Sequence, residues 1–314
     1  MTQAGVMSAS ASPPVASAPA APGAAERGSR RAARVTPSGA LGIALVSVFL
    51  LLALGAPLLE PRDPLAQELT SRLKPPGYVD ASGGVYVLGT DTLGRDLLSR
   101  LIAGARVSLV VGLGAALAAA LLGTALGLIA GFAGGWYEAG ILRLTDVAQA
   151  IPYTILALAV IAVLGPSLEH LVLVLAFTSW VTFTRVVSSE TRALRGSELV
   201  LAARVLGATP SRIVVRHLLP QVVPSLLVLG SLMVGSMILF EATLSFLGLG
   251  VQPPTPSWGN MLLDGMGPIR SAWWVSFFPG LAILLAALGV NLLADWARDA
   301  TDPRRSWELV VSSW

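Results

Sequence analysis

The chain has 314 residues, of which 54% are hydrophobic and only 12% are charged, and its formal net charge is +3. Soluble domains carry about 25% charged residues, so this composition excludes an ordinary soluble protein and indicates a bundle of membrane-spanning helices. There is no cysteine, and the only lysine, Lys74, precedes Pro75, which excludes disulfides, thiolate metal sites and a Gly-Lys-Ser/Thr phosphate-binding loop.

The chain begins with a segment that cannot form a folded core. Residues 1–38 are rich in Ala, Ser, Pro and Gly and end in a cluster of arginines, which predicts a disordered cytoplasmic tail. Residues 39–59 are apolar and uncharged, and this run is longer than the roughly 7–15 residues of a signal-peptide core. We therefore predict that 39–59 is the first transmembrane helix and that it is retained.

Five further apolar runs are candidates for membrane spans, each of which needs about 20 residues. The fourth of the six spans is short, and we expect it to extend to 168 and past 185. Six spans place both termini on the same side of the membrane. That side carries 14 arginines, and the opposite side carries 7 basic residues. Because basic residues are enriched in cytoplasmic loops, the side with 14 arginines is predicted to be the cytoplasm. The five runs are 107–132, 148–164, 171–183, 222–247 and 274–293.

The predicted spans divide the rest of the chain into a first loop, a core and a tail. We predict an extracytoplasmic loop over 60–104 with an interfacial helix, for which Asp91 and Thr92 are candidate N-caps. A core with five spans is expected over 105–300, and a cytoplasmic tail over 301–314. Two ion pairs are expected between near neighbours in the sequence. They join Arg95 to Asp96 and Arg143 to Asp146.

Four glycines recur at every fourth position at the end of the second span, at Gly123, Gly127, Gly131 and Gly135. Such a stripe of small residues lets helices approach closely in lipid, where hydrophobicity does not drive their association. We expect it to serve packing within the bundle. A contact with a partner subunit is the alternative, and the sequence does not separate the two.

Between the fourth and fifth spans lies a predicted cytoplasmic loop, 185–220, which is far longer than the usual connection of about 2–8 residues between bundle helices. Ser197 is expected to cap a short helix over 198–206 and Gly207 to end it in a left-handed conformation. An exposed apolar face on such a helix indicates a docking site. Its members are Leu201, Ala202, Val205 and Leu206.

A second short helix is predicted after Gly207. Thr209 followed by Pro210 has the pattern of an N-cap and a first-turn proline, so the helix should run to about residue 218. Pro220 is expected to end it and to open the fifth span. The loop is thus predicted to hold two short helices hinged at Gly207.

This loop resembles a motif of ABC importer permeases: Glu-Ala-Ala, three residues, Gly, nine residues, then Ile-x-Leu-Pro. The spacing agrees throughout. Leu201 occupies the glutamate position, a departure that removes one polar contact with an ATPase but not the docking itself, and His217 occupies the isoleucine position, as is usual in the peptide-transporting subfamily. The matching residues are Leu201, Ala202, Ala203, Gly207, His217, Leu218, Leu219 and Pro220.

Three further segments carry the resemblance, in the same order and topology. They read GTDTLGRD at 89–96, EATLSFLGLG at 241–250 and NLLADWARDATDPR at 291–304. From about residue 30 onward the chain is similar to the C-type membrane permease subunit of dipeptide, oligopeptide and nickel ABC importers. The resemblance implies an all-α membrane protein with six transmembrane helices in the type I ABC importer permease fold.

The resemblance also implies the partners and the mechanism. A second homologous permease would complete the pathway, one or two P-loop ATPase subunits would bind ATP, and an extracytoplasmic solute-binding protein would deliver the solute. Residues 91–96 are a candidate surface facing that binding protein, with a structural cap and ion network as the alternative. No nucleic acid is implied. The chain itself would be a non-hydrolytic subunit of the bacterial inner membrane, with no catalytic, cofactor-binding or metal residue. The residues implied to couple it to the ATPase are Glu198, Leu201, Ala202, Ala203, Gly207, His217 and Pro220.

Glu241 is a candidate for a second functional position. It lies 19 residues after the start of the fifth span, about 28 Å along a helix, which places it near the outer boundary of the bilayer. An acid within a membrane span is by default a functional hypothesis. Two roles remain open: a gate or substrate contact, and a hydrogen bond that fixes the packing of the fifth span.

Two other classes of protein are weighed against the importer. A stand-alone secondary transporter usually shows two similar halves and coupling-ion residues at mid-membrane, and no clear internal repeat is present. An intramembrane enzyme needs a nucleophile with its base, or paired acids, and no such set is evident. Short peptides are the preferred solute. Nickel and other small solutes remain alternatives, because no cluster of metal ligands decides the question.

Overall fold

The computed structural model describes residues 36–301, with side chains through Asp299. In this part of the chain five helices are long and apolar enough to cross a membrane, and two shorter helices bent by 83° supply a sixth candidate span. The predicted class, an all-α membrane protein with six spans, is confirmed. The predicted tails fall almost wholly outside the described residues. The elements are α1 Pro37–Leu59, a 3₁₀ turn Leu69–Ser71, β1 Tyr78–Val79, β2 Val85–Tyr86, α2 Leu97–Ala133, α3 Gly135–Ala150, α4 Tyr153–Leu164, α5 Leu168–Leu194, α6 Glu198–Val205, α7 Pro210–Ile213, a π turn Val214–Leu218, α8 Leu219–Phe246, α9 Trp258–Met266 and α10 Trp274–Thr301.

The first span, α1, begins two residues before the apolar run because Thr36 caps it. The Thr36 hydroxyl accepts a hydrogen bond from the Gly39 amide at 3.1 Å, and Pro37 takes the first helical position, where no N–H is needed. α1 packs along α10, and at Gly42 and Gly289 each helix meets the backbone of the other. Glycine at these positions permits the close approach that holds helices together in lipid.

The second span is one helix of 37 residues, and the interfacial helix predicted in 60–104 is not a separate element. The expected N-caps Asp91 and Thr92 are also wrong, because α2 is capped by Asp96. Its carboxylate accepts hydrogen bonds from the amide of Ser99 at 2.8 Å and from the Ser99 hydroxyl at 2.6 Å. No proline interrupts residues 97–133, so the helix runs without a break from the cap into the membrane span.

The glycine stripe of α2 packs against another helix of the same chain. This agrees with the expected role of the stripe in packing within the bundle. At Gly123, Gly127 and Gly131 an added Cβ atom would collide with α5, so the two helices are in direct backbone contact. Gly135 is not part of the stripe: it begins α3 with a φ of +53° and has open space around it. The α5 carbonyls that face the three glycines are those of Trp180, Thr184 and Ser188.

The third span, predicted as one run over 148–164, is broken. α3 ends at Ala150 and α4 begins at Tyr153, with an 83° bend between them. Pro152 causes the break, because it has no N–H to continue the helical ladder and it forces the preceding residue, Ile151, into an extended conformation with φ −93° and ψ 120°. α5 follows, capped by Ser167, and it runs from 168 past Arg185 as expected.

The fifth span is longer than its apolar run. α7, the π turn and α8 form one continuous helical segment of 37 residues, so the prediction that Pro220 ends a short helix is wrong. A proline normally clashes with the carbonyl four residues earlier. Here the wide π turn just before it accommodates the ring.

Residues 60–96, which we call the hairpin segment, form a small folded unit between α1 and α2. Its two-residue strands pair in antiparallel fashion. In the turn, the Asp80 carboxylate accepts hydrogen bonds from the Ser82 hydroxyl, the Gly84 amide and the Arg62 guanidinium, and these bonds hold the pKa of Asp80 well below its usual range. The same guanidinium lies 4.0 Å above the Tyr86 ring.

Candidate functional sites

The connection from α5 to α8, residues 195–218, is the short-helix loop. Its first helix, α6, buries Val200 and Ala203 against the rest of the chain. The opposite side carries apolar side chains that nothing covers: Val205 is 88% exposed, Leu206 86% and Leu201 49%. The apolar face predicted for this helix therefore exists, and it is turned outward. Exposed apolar patches of this kind mark interaction sites.

The predictions for the two ends of α6 and for the start of α7 are confirmed in part. Gly207 has a φ of +77° and open space around it, which is the left-handed conformation expected after the helix. The Thr209 hydroxyl accepts a hydrogen bond from the Arg212 amide at 3.4 Å and caps α7 as predicted. Ser197 stands at the N-cap position of α6, but its hydroxyl makes no hydrogen bond, so the expected side-chain cap is wrong.

A hollow of about 400 Å³ lies between α6 and the segment formed by α7 and the π turn. Four of the seven predicted coupling residues border it: Ala202, Ala203, Gly207 and His217. The other three lie elsewhere. Glu198 begins α6, Leu201 is on the outward face, and Pro220 is exposed at the start of α8.

Two arginines that the sequence reading missed also border the hollow. Arg212 and Arg216 lie one helical turn apart on the far wall, opposite Leu199 and Leu206. The signal was present in the sequence, since residues four apart share a helix face and the helix was predicted to run to about residue 218. The hollow therefore combines apolar and cationic walls, and an acidic side chain fits it better than a basic one.

The short-helix loop is anchored on the ends of three spans. Val200 and Ala203 of α6, with Ile213 and Leu218 after it, pack in one buried cluster with side chains of α2, α5 and α8. The guanidinium of Arg204 also lies 5.5 Å from the ring of Phe132 at the end of α2. Because protein cores are densely packed, a force on α6 would be passed to these three spans. The spans contribute Leu128, Val187 and Val222 to the cluster.

Glu241 of α8 is fully buried. Its carboxylate accepts hydrogen bonds from Ser245 at 2.8 Å, one turn along the same helix, and from Ser108 of α2 at 3.3 Å. Among the described residues it has no basic ion-pair partner, which agrees with its burial among hydroxyl donors. These bonds join α8 to α2, as the packing role requires. The gate or substrate role remains a prediction.

The hairpin segment ends in a buried ion network. The Asp91 carboxylate binds Arg95 at 2.6 Å and also accepts a short hydrogen bond from Arg100 of α2. Asp264 of α9 then binds Arg95 at 3.2 Å. The expected pair of Arg95 with Asp96 is wrong, because the Asp96 carboxylate is used to cap α2. The network instead links the segment to α2, which follows it directly, and to α9, which is distant in the sequence.

Two further ion pairs join α3 to α5. Arg185 binds Asp146 at 2.7 Å, and Arg192 binds Glu138 at 3.1 Å. The pair expected within α3 between Arg143 and Asp146 is therefore wrong. The carboxylate of Asp146 reaches across to the neighbouring helix, where a guanidinium lies at the right height.

These features define a helical membrane protein whose spans carry a short helix with an exposed apolar face, the organisation of a transport permease. The family model described as "Binding-protein-dependent transport system inner membrane component" matches residues 123–307, more than half of the chain. The chain belongs to this family, and it is accordingly an integral inner-membrane component of a transport system. The matched region contains the short-helix loop.

Relatives match most of the chain. It is 42% identical over 267 residues to the di/tripeptide transport system permease protein DppC of Pseudomonas aeruginosa, covering 85% of this chain and 88% of the relative. It is 41% identical over 264 residues to the dipeptide transport system permease protein DppC of Escherichia coli K12, covering 84% and 88%.

One solved structure supports the fold. A chain of the inward-facing MetNI methionine ABC transporter has a TM-score of 0.54 to this chain at 18% identity, covering 66% of this chain and 98% of that one. This similarity identifies the fold as that of a type I importer permease.

Proposed function

We propose that this chain is the permease subunit of an ATP-driven importer of short peptides, and that it forms half of the translocation pathway. The observation that carries the proposal is the exposed apolar face of α6, which stands outside the spans but is anchored on the ends of three of them. A docking helix placed in this way can receive motion from a partner and pass it to the membrane.

The proposed partners follow from the family. Two membrane subunits, this chain and a second homologous permease, would each dock on one of two ATPase subunits that bind ATP. A solute-binding protein would deliver the solute from outside. The distribution of arginines supports an orientation with both termini and the short-helix loop in the cytoplasm, and the hairpin segment outside.

In this mechanism α6 lies in a cleft of the ATPase, and closure of the ATPase pair on ATP shifts it. Val205 and Leu206 supply apolar contact area, and the cationic wall of Arg212 and Arg216 favours an acidic side chain of the ATPase. Gly207 allows the sharp reversal between the two short helices. Leu201 supplies an apolar contact where the related motif has an acid. The motion then reaches α2, α5 and α8 through their common cluster.

The peptide substrate is supported by the relatives, which are named for dipeptide or di/tripeptide transport and match about 85% of the chain. The described residues contain no group of three side chains suited to hold a metal ion, so nothing in them favours a metal solute over a peptide.

The test is to express the chain with the permease, ATPase and binding protein encoded beside it, and to measure uptake of labelled dipeptides into vesicles. We expect ATP-dependent uptake and co-purification of a P-loop ATPase. Uptake driven by an ion gradient without ATP, with the chain purified alone, would overturn the importer in favour of a secondary transporter. ATP-dependent uptake of nickel but not of peptides would overturn the substrate alone.

A further inference from the structure

One face of α5 differs from the other outward surfaces of the bundle. Five polar residues recur at intervals of four and three, so they lie within one narrow arc of the helix, and none of them is buried. We call this face the α5 polar stripe. Its members are Thr178, Thr182, Arg185, Ser189 and Arg192.

The depth of the stripe matters. At about 1.5 Å per residue, Thr178 lies about 15 Å and Arg185 about 26 Å along the helix from its first residue. The hydrocarbon core of a bilayer is about 30 Å thick, so the stripe begins near mid-membrane and continues to the boundary beyond. Thr178 and Thr182 are the members near mid-membrane, and Arg185 lies closer to the boundary; charged side chains within membrane spans usually face a protein interior or a water-filled cavity and mark solute pathways.

The contrast with other spans supports this placement. α1 carries no charged residue along its length, and its outward side chains include Leu51, Leu54 and Leu58. α10 is likewise uncharged from 274 to 293 and exposes Phe277 and Leu284. Such surfaces match lipid. The α5 polar stripe does not, so we expect water or protein to cover it.

The two arginines of the stripe are joined to acids of the neighbouring helix α3, so both signs of charge meet along it. Arg185 is paired with Asp146, and Arg192 with Glu138, and the side chains of the first pair are 43% and 60% exposed. Exposed ion pairs contribute little to stability, so they can exchange partners readily. A short peptide has one ammonium group and one carboxylate group. An acid of such a surface can bind the ammonium group, and an arginine can bind the carboxylate group.

We propose that the α5 polar stripe lines the inner half of the translocation pathway, and that Arg185 and Asp146 contact the charged groups of the passing solute. The identity of the solute rests on the proposed function. The location of the pathway does not, because it follows from the polarity and depth of the stripe.

The first experiment uses the absence of cysteine in this chain. Thr182→Cys is placed on the stripe and Leu54→Cys, as a control, on α1, and each complex is reconstituted in lipid nanodiscs with both faces open to solvent. A charged methanethiosulfonate reagent reacts with the thiolate, which lipid surroundings disfavour, so we expect Thr182→Cys to react at least about tenfold faster.

Equal, slow labelling of both variants, with and without ATP, would overturn the pathway assignment. Ser189→Cys serves as a second stripe position if Thr182→Cys does not assemble. This measurement requires no transported solute, so it decides the location of the pathway even if the peptide proposal fails.

The second experiment tests the solute contact with two dipeptides of opposite side-chain charge, alanyl-glutamate and alanyl-lysine. Arg185→Gln leaves Asp146 unpaired, so uptake of the glutamate peptide relative to the lysine peptide should fall about fivefold, as expected for one unit charge close by in water. Asp146→Asn should shift the ratio the other way.

A purely structural ion pair would lower uptake of both peptides equally in both variants, and that result would overturn the contact. Arg192→Gln is a matched control for a broken link between α3 and α5, and it should shift the ratio less because it lies farther along the stripe. No uptake of either peptide by the unchanged transporter would instead refute the proposed substrate.

Discussion

The hairpin segment and the short-helix loop both connect spans, yet they are stabilised in opposite ways. The hairpin segment is held by polar bonds that are completed within this chain: Asp91 is fully buried and satisfied by Arg95 and by Arg100 of α2, and Asp80 closes its turn. The short-helix loop leaves Val205 and Leu206 in solvent. The polar groups of the first region are satisfied within the chain, whereas the second leaves an apolar face that the proposed partner would cover.

The largest effect is expected in the hairpin segment, from Asp91→Asn. The substitution leaves two buried guanidinium groups with only the partly exposed carboxylate of Asp264, and breaking a buried ion pair costs about 3–5 kcal/mol. The thermal unfolding midpoint of the purified chain should fall steeply, as followed by tryptophan fluorescence. Asp63→Asn, at an exposed position, is the control, and an equal, small change in both variants would contradict the self-sufficient network.

Val205→Asp should have its effect only in the complex. Val205 is 88% exposed, so the chain alone should lose less than about 0.5 kcal/mol, as is usual for surface substitutions. If α6 is an anchor in the ATPase cleft, association should weaken by about 2 kcal/mol, or about 30-fold. Co-purification with the ATPase measures this. Val79→Asp, at a valine of the hairpin segment that is 53% exposed, should leave association unchanged, and equal losses would contradict the comparison.

Gly207→Val tests the sharp change of chain direction between α6 and α7. A β-branched residue at a φ of +77° costs about 1–2 kcal/mol, so the two short helices should lose their relative orientation. We expect less peptide transported per ATP hydrolysed, at normal membrane levels. Gly196→Val is the matched control, because Gly196 lies in the same loop with open space and without a positive φ. Normal coupling in Gly207→Val would refute the hinge.

Removing the N-cap side chains of α2 and α6 is expected to give a smaller difference in stability. Asp96→Ala removes the N-cap of α2, which accepts the Ser99 amide, and should cost about 1 kcal/mol. Ser197→Ala removes a hydroxyl that makes no hydrogen bond and should be close to neutral. Unfolding midpoints of the two variants would measure the difference. A larger loss for Ser197→Ala would show that the loop relies on a cap that is absent from this conformation.

The smallest effect concerns pH. The folded-state pKa of Asp80 is depressed, so its contribution is present above the ordinary aspartate pKa of about 3.9 and is lost only as the pH falls through the lower, folded-state value. The tyrosine circular dichroism of the hairpin should therefore be constant from pH 7 down to about 4. Asp80→Asn should show an altered signal throughout that range, and an Asp80-dependent change between pH 7 and 5 would contradict the prediction.

Much of the fold was predictable from local sequence. Length and apolarity predicted the spans, because lipid demands helices that satisfy every backbone group internally. Gly207 and Thr209 with Pro210 marked the turns of the short-helix loop, since their conformational preferences act over a few residues. The spacing around Ala202 and Ala203 indicated the docking helix by resemblance. The coupling roles assigned to these residues stay predictions.

Only the tertiary structure decided which groups meet across long sequence distances. Asp91 reaches Asp264 through Arg95, and Asp146 pairs with Arg185 rather than with its neighbour in α3, because packing brings helices together at heights that no local rule gives. The π turn before Pro220 likewise depends on how α7 and α8 are held as one helix. The sequence determined where helices form and turn. Packing determined the partners of their polar groups, since burial leaves each charge only the partners within reach.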